Sequence, residues 1–355
     1  MPAHASTNDY QVILQTRRIV VDRKPTEIAY IILGLKHWTS SKVILLDISV
    51  VITVYNQPLQ TVETTIRSVV QQQNCDFEII IADDCSSNDI SSELECLFDS
   101  LSFSNYTIVR HAQNMKTVLN IKTALDSASG EYMKVIGSGD LLYDANTLHD
   151  IVSFMRETKA DVGFGKVIAF NKNDKGELNC KLFKAPTNPE DYFVGGMNRK
   201  QALKGQLDRA DWIPGGSQFY KMSKAKELLA ILSDDFGVKF CEDFSGTVAL
   251  ADSEVPFLDR CVLWYEFGDG ISTSGQGRAR LYADHENFYK GMSRMKPFGE
   301  TFPFARAMFS LRKFITLKTP LYRFFQKRIA ASYQNSGETI VPNDFLKSIL
   351  ERDEQ

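Results

Sequence analysis

Apolar residues recur along this chain with two different rhythms. Between positions 48 and 136, short runs rich in β-branched residues alternate with longer segments in which apolar residues return every three or four positions. The run at 48–54, ISVVITV, has the composition of a central parallel strand. It ends at Tyr55-Asn56-Gln57-Pro58, a turn that predicts a helix over 59–73. A second strand at 77–82, FEIIIA, stops at Asp83-Asp84 and is followed by an amphipathic helix to 101. A strand at 106–110, a helix at 117–128 and a strand at 132–136, YMKVI, complete the series. Strand and helix thus alternate four times at close spacing, which predicts a parallel sheet wound by right-handed crossovers.

Beyond 146 the pattern loosens. A helix at 146–159 leads to a strand at 161–170, and Asn173-Asp174-Lys175-Gly176 predicts a hairpin turn. Residues 212–220 run from a glycine-rich turn into a short strand. Helices follow at 223–232 and up to 250, then a strand at 261–267 that ends in Gly268-Asp269-Gly270-Ile271-Ser272. Residues 1–46 read as an extension packed on the main domain, with a short helix from Pro25 to 35.

Composition narrows the classes without choosing among them. At 355 residues the chain has ample length for a buried core, and 43% hydrophobic with 24% charged residues is ordinary for a globular protein. A net charge of −3 gives no reason to expect nucleic acid. Six cysteines form no C-x-x-C pair and five histidines do not cluster, which suits a reducing, cytoplasmic setting and argues against a zinc site or a histidine triad. No run approaches the ~18 apolar residues of a spanning helix. One segment departs from the average. Residues 301–337 carry Arg306, Arg312, Lys313, Lys318, Arg323, Lys327 and Arg328 without an acid, interleaved with phenylalanines. Such a segment fits an anionic membrane surface, or a helix pair that buries its phenylalanines and leaves its cations in water.

Three polar loops follow three strands in the first half: Tyr55-Asn56, Asp83-Asp84 and the loop of Asp140. In a parallel sheet all three project from one edge, where ligands bind in open α/β folds. A carboxylate pair at the end of a buried strand costs desolvation energy unless a cation or a hydrogen-bond donor meets it, and a nucleobase N–H is such a donor. Asp140 and Asp144 also suit the capping of the next helix. Gly137-Ser138-Gly139 opens the alternative of a nicotinamide-dependent oxidoreductase, although Leu142 stands where the third glycine of that fingerprint belongs.

Taken together, SVVITVYN at 49–56, IIIADDCSSND at 79–89, Asn114 and Asn120, and Gly130-Glu131-Tyr132 leading into Gly139-Asp140 resemble the family 2 glycosyltransferases, many of which serve bacterial surface polysaccharides. The resemblance is strongest over 47–150 and fades towards 275. It implies an α/β GT-A fold: a Rossmann-like, mostly parallel central sheet flanked by helices, with a helical C-terminal extension. It divides the chain into an N-terminal extension (1–46), a glycosyltransferase domain (47–280, split near 150 into nucleotide-sugar and acceptor halves) and a helical basic and aromatic tail (281–355).

The resemblance also assigns roles. Thr53, Tyr55 and Asp84 would hold the base of a nucleotide-sugar such as a UDP-sugar, with Asp83 supporting the loop and Asn114 and Gly139 completing the donor site. Asp140 would face the diphosphate through Mn2+ or Mg2+. Glu242-Asp243 matches an acidic pair whose aspartate, here Asp243, acts as general base for an inverting displacement. As bare sequence the pair equally suits a helix N-terminus. Trp212, Gly216 and Glu242 would border a lipid-linked or polysaccharide acceptor at the inner membrane face, and Arg278 and Arg280 would meet the diphosphate or stand as surface charge. The family loop Asp-x-Asp-Asp is Gly137-Ser138-Gly139-Asp140 here, so two of three carboxylates are missing, and a degenerate nucleotide-sugar-binding protein of the same fold is the alternative. Lys116 occupies a place that is often glycine.

Overall fold

The structure, a computed structural model, describes residues 46–172, 175–209, 211–267, 275–295 and 338–351, the backbone of 18–21, and the helical positions 307, 310, 311 and 314. Within them the first half follows the predicted alternation. The elements are β2 (Ile48–Val54), α1 (Leu59–Val70), β3 (Phe77–Asp83), α2 (Ser91–Ser100), β4 (Tyr106–Arg110), α3 (Thr117–Ala124) and β5 (Tyr132–Gly137). A strand that periodicity did not predict, β1 (Arg18–Val21), pairs parallel with β4 at the sheet edge. The predicted helix from Pro25 lies outside the described residues.

The second half adds β6 (Leu141–Leu142), α4 (Thr147–Thr158), β7 (Val162–Lys172), β8 (Leu178–Phe183), α5 (Arg199–Arg209), β9 (Gln218–Lys221), α6 (Met222–Ala230), α7 (Phe244–Ala249), β10 (Phe257–Glu266), α8 (Gly275–Met292) and α9 (Asp344–Leu350). Among the described residues the strands form one sheet in the order β1-β4-β3-β2-β5-β9-β7-β10-β6, with β8 on β7 as the predicted hairpin. The β4-β3-β2-β5 block is parallel throughout, whereas β9 runs antiparallel to both β5 and β7. That reversal puts the start of β9 beside the ends of β2, β3 and β5.

Burial explains the strand composition. Val51, Ile80, Ala82 and Met133 point into a core shared with α3, α6, α7 and α8. Their neighbours Val50, Ile52, Ile79, Ile81 and Ile136 point into a second core with α1, α2 and α4. Residues buried on both faces read as unbroken β-branched runs, and each such side chain contributes ~1.5–3 kcal/mol. Leu346 and Ile349 of α9 close a third cluster with Leu141, Ile168, Phe170 and Trp264. Helix α8 runs across residue 280 and buries Phe288, Tyr289 and Met292 in the first core, so the packing of the sheet continues past that boundary. No described helix is long and apolar enough to cross a membrane.

The glycine pair of 137–139 leads into β6 and a turn before α4 begins at Thr147. A dinucleotide fingerprint needs the glycine turn to open directly onto a helix whose N-terminus meets the pyrophosphate. The nicotinamide reading is therefore overturned by the connection that follows β5.

Candidate functional site

The C-terminal ends of β2, β3 and β5 and the N-terminal end of β9 line one stretch of the sheet edge, and hydrogen bonds fasten their loops to one another. Asn56, at φ +53°, accepts from the Ser87 N–H (2.8 Å) and hydroxyl (3.0 Å), while its own N–H donates to Ser86 Oγ (2.8 Å). This holds Tyr55, 47% exposed, at the rim between the two loops. Asp83 is buried, accepts from the Ser86 N–H at 3.0 Å and forms an ion pair with Arg110, which also donates to Ser86 O (2.8 Å). Asp83 is thereby committed to shaping its loop.

Asp84 is buried and points the other way. Its carboxylate accepts the backbone N–H groups of Met115 (2.5 Å) and Lys116 (3.0 Å) ahead of α3. Burial raises its pKa, an effect those two hydrogen bonds oppose. Lys116 holds φ +70°, a conformation that strains a residue with a side chain, and its ammonium donates to Asn114 Oδ1 at 2.5 Å. The resemblance placed this lysine at a position that is often glycine, and the left-handed backbone supplies the reason. Asn120 donates to Ala82 O at 2.9 Å from α3. Thr53 accepts at its carbonyl from the Ser138 hydroxyl (2.7 Å), joining β2 to the loop after β5.

That loop turns at Gly139, whose φ of +99° favours glycine and whose N–H donates to Thr65 Oγ1 (2.9 Å). A Cβ on Gly139 would run into the Glu266 carboxylate. Asp140 is buried and accepts the Glu266 N–H at 3.0 Å from the end of β10. Burial pushes its carboxyl up to about 7, and the nearby Glu266 charge adds to the shift.

The acidic pair reaches the same edge from the turn that precedes α7. A Cβ on Gly215 would come within 2.5 Å of Glu242 Oε1, and one on Gly216 would sit 4.0 Å from Asp140 Oδ2. The two glycines are thus the thin partition between the end of β5 and the Glu242-Asp243 turn. Gln218, fully buried in β9, donates to the carbonyls of Ile213 and Asp243 at 3.0 Å each and accepts from the Tyr220 hydroxyl at 2.7 Å. Tyr220 also meets Ser245 Oγ (2.6 Å). Glu242 and Asp243 keep partial solvent access. Burial raises the pKa of both carboxyls, and for Glu242 the Asp243 charge adds to it.

Asp284 of α8 fixes the approach to this turn. Its buried carboxylate accepts the N–H groups of Lys239 (3.1 Å), Phe240 (2.5 Å) and Cys241 (3.1 Å). The Trp212 ring packs against Phe244, His285 and Phe288 at centroid distances of 5.1, 5.8 and 5.9 Å. Arg280 is exposed on α8, and the Arg278 side chain and residues 268–274 lie outside the described residues. So does most of the basic segment 301–337; its described positions Ala307, Ser310, Leu311 and Phe314 are helical and exposed. Lys134, Gln218, Glu266 and Asp284 escaped the sequence reading. For Lys134 a signal existed, a cation inside the apolar run YMKVI.

An open α/β sheet with acidic loops gathered at the carboxyl ends of its parallel strands defines the chain as a ligand-binding protein of the GT-A fold. Residues 49–225, about half of the chain, match the family "Glycosyl transferase family 2", and the chain belongs to that family. Among solved structures it is similar to S. aureus TarS 1–349 in complex with UDP-GlcNAc, at 18% identity and a TM-score of 0.53, covering 87% of this chain and 83% of that one. It is similar also to S. aureus TarS, at 17% identity and a TM-score of 0.51, covering 87% of this chain and 50% of that one. At such identities the likeness speaks to the fold. No curated protein matches the sequence.

Proposed function

We propose that this protein is an inverting glycosyltransferase that moves a sugar from a nucleotide-sugar, a UDP-sugar, to a lipid-linked or polysaccharide acceptor in surface glycan synthesis. One observation carries the reading. The loop of Asp83 and Asp84 and the Glu242-Asp243 turn lie along one sheet edge, with Gly215 against Glu242 and Gly216 close to Asp140. The nucleobase lies against Thr53, Tyr55 and Asp84, with Asn114 and Gly139 nearby. The acceptor enters beside Trp212, Gly216 and Glu242. Asp243 takes the proton from the acceptor hydroxyl as that oxygen attacks the anomeric carbon; the C–O bond to the diphosphate breaks and the nucleoside diphosphate leaves with the bonding pair. A raised pKa makes Asp243 a stronger base than an ordinary aspartate once it is ionised. Arg278 and Arg280 serve the departing diphosphate, and segment 301–337 holds the enzyme to the anionic inner face of the membrane.

The resemblance implies Mn2+ or Mg2+ at Asp140, and the donor set is a poor fit for it. A hard divalent ion needs several oxygen ligands. Gly137 and Gly139 bring no carboxylate, Asp140 Oδ1 is taken by the Glu266 N–H, and no group of three His, Cys, Asp or Glu side chains able to hold a metal lies among the described residues. The same two glycines favour a second reading, a nucleotide-sugar-binding protein without turnover. A panel of UDP- and GDP-sugars separates the two: transfer to an added glycolipid or glycan acceptor supports the enzyme, and binding without product supports the second.

A further inference from the structure

Lys134 lies in the middle of β5, on the same face as Tyr132 and Ile136, and is fully buried. Its ammonium donates to the carbonyl of Gly216 and, at 3.3 Å each, to those of Val135 and Gln218. A buried ammonium costs several kcal/mol unless hydrogen bonds and a countercharge meet it. The carbonyls supply the first, and the Asp140 carboxylate is the negative charge that acts on it. Burial pulls the Lys134 amine down to about 7, and Asp140 opposes that shift just as Lys134 opposes the rise at Asp140. An Asp-x-Asp-Asp loop presents three negative charges, enough to draw a dication between itself and a diphosphate. Here Gly137 and Gly139 remove two of them, and the ammonium of Lys134, bonded to the carbonyl of Gly216, lies near the third, which borders that same glycine.

We propose that Lys134 is the internal cation of the donor site: its ammonium balances Asp140 and ties the Gly215–Ser217 turn to β5, so that the donor nucleotide binds without a divalent metal ion at Asp140. This rests on the nucleotide-sugar reading above. Lys134 is a positioning residue, because it touches backbone carbonyls and acts through the turn and Asp140. One of the carbonyls it holds, that of Gly216, belongs to the partition next to Glu242. One buried amine therefore sets both the charge balance of the donor side and the placement of the acceptor side.

Calorimetry of the full chain with UDP and GDP, in EDTA and in millimolar Mn2+, tests the proposal directly. The expected result is a UDP or GDP affinity equal within about twofold in the two buffers. A tenfold or greater gain with Mn2+ overturns it. Lys134→Met keeps the aliphatic stem and removes the charge, leaving Asp140 uncompensated; its melting temperature should fall, and Lys134→Met/Asp140→Asn, which removes the unbalanced carboxylate, should recover part of the loss. A merely structural lysine would give a double variant no more stable than Lys134→Met, and that result also overturns the proposal. Should neither nucleotide bind in any buffer, the nucleotide-sugar reading fails, and the Lys134–Asp140 pairing is then judged on the melting data alone. If Lys134→Met does not fold, the wild-type calorimetry decides.

Discussion

Asp284→Asn probes whether α8 governs the acidic turn. The buried carboxylate of Asp284 receives three successive backbone N–H groups, those of Lys239, Phe240 and Cys241, just before Glu242-Asp243. All three converge on Oδ2, and the Lys239 N–H is shared with Oδ1. Hydrogen bonds to a charged group are worth ~1.5–3 kcal/mol each, and a buried N–H left unmet costs ~1–3 kcal/mol. Asparagine retains one carbonyl oxygen, loses the charge and offers an NH2 where an acceptor is needed. The expected destabilisation is ~2–4 kcal/mol, read as a lower urea midpoint with an unchanged m-value. Because the turn loosens while the loops of Asp83 and Asp84 stay in place, transfer should fall at least tenfold, with UDP affinity kept within about threefold. A variant with the wild-type midpoint and full transfer would refute the reasoning that this carboxylate holds the turn.

Other predictions follow from single contacts. A side chain at Gly130 would press on the backbone of Ser49 and Ile48, where a Cβ comes within 2.5–2.6 Å, so Gly130→Val should cost ~2–3 kcal/mol in denaturant titration. Asp84→Asn should weaken UDP binding about tenfold, ~1.4 kcal/mol, as measured by calorimetry, because an amide presents one acceptor fewer to a ring N–H. Transfer should rise with pH along a limb well above the ordinary aspartate value of ~3.9, since burial raises the pKa of Asp243 and the base works only after losing its proton. A rate already at its plateau near pH 4 would contradict that assignment.

The central strands were legible because β2, β3 and β5 are buried on both faces, which forces β-branched runs that no helix would tolerate as well. β1 was not legible. Its four residues, RIVV, sit in a polar stretch and owe their strand form to pairing with β4, more than eighty positions away. α5 was missed for a similar reason, since the mean polarity of 199–209 hides the few positions that α5 buries. In the site, acids at strand ends announce themselves, as Asp84 and Asp140 did. Lys134, Gln218 and Asp284 do not, because their partners are backbone carbonyls and N–H groups from distant segments, and backbone groups leave no mark on a sequence.

Asp243→Asn tests the central claim most directly, by measuring transfer and nucleotide binding on the same preparation. The amide is nearly isosteric and cannot take a proton from the acceptor, so sugar transfer should drop by at least a thousandfold while UDP affinity stays within about twofold of the wild type. Transfer at the wild-type rate by Asp243→Asn would contradict the account.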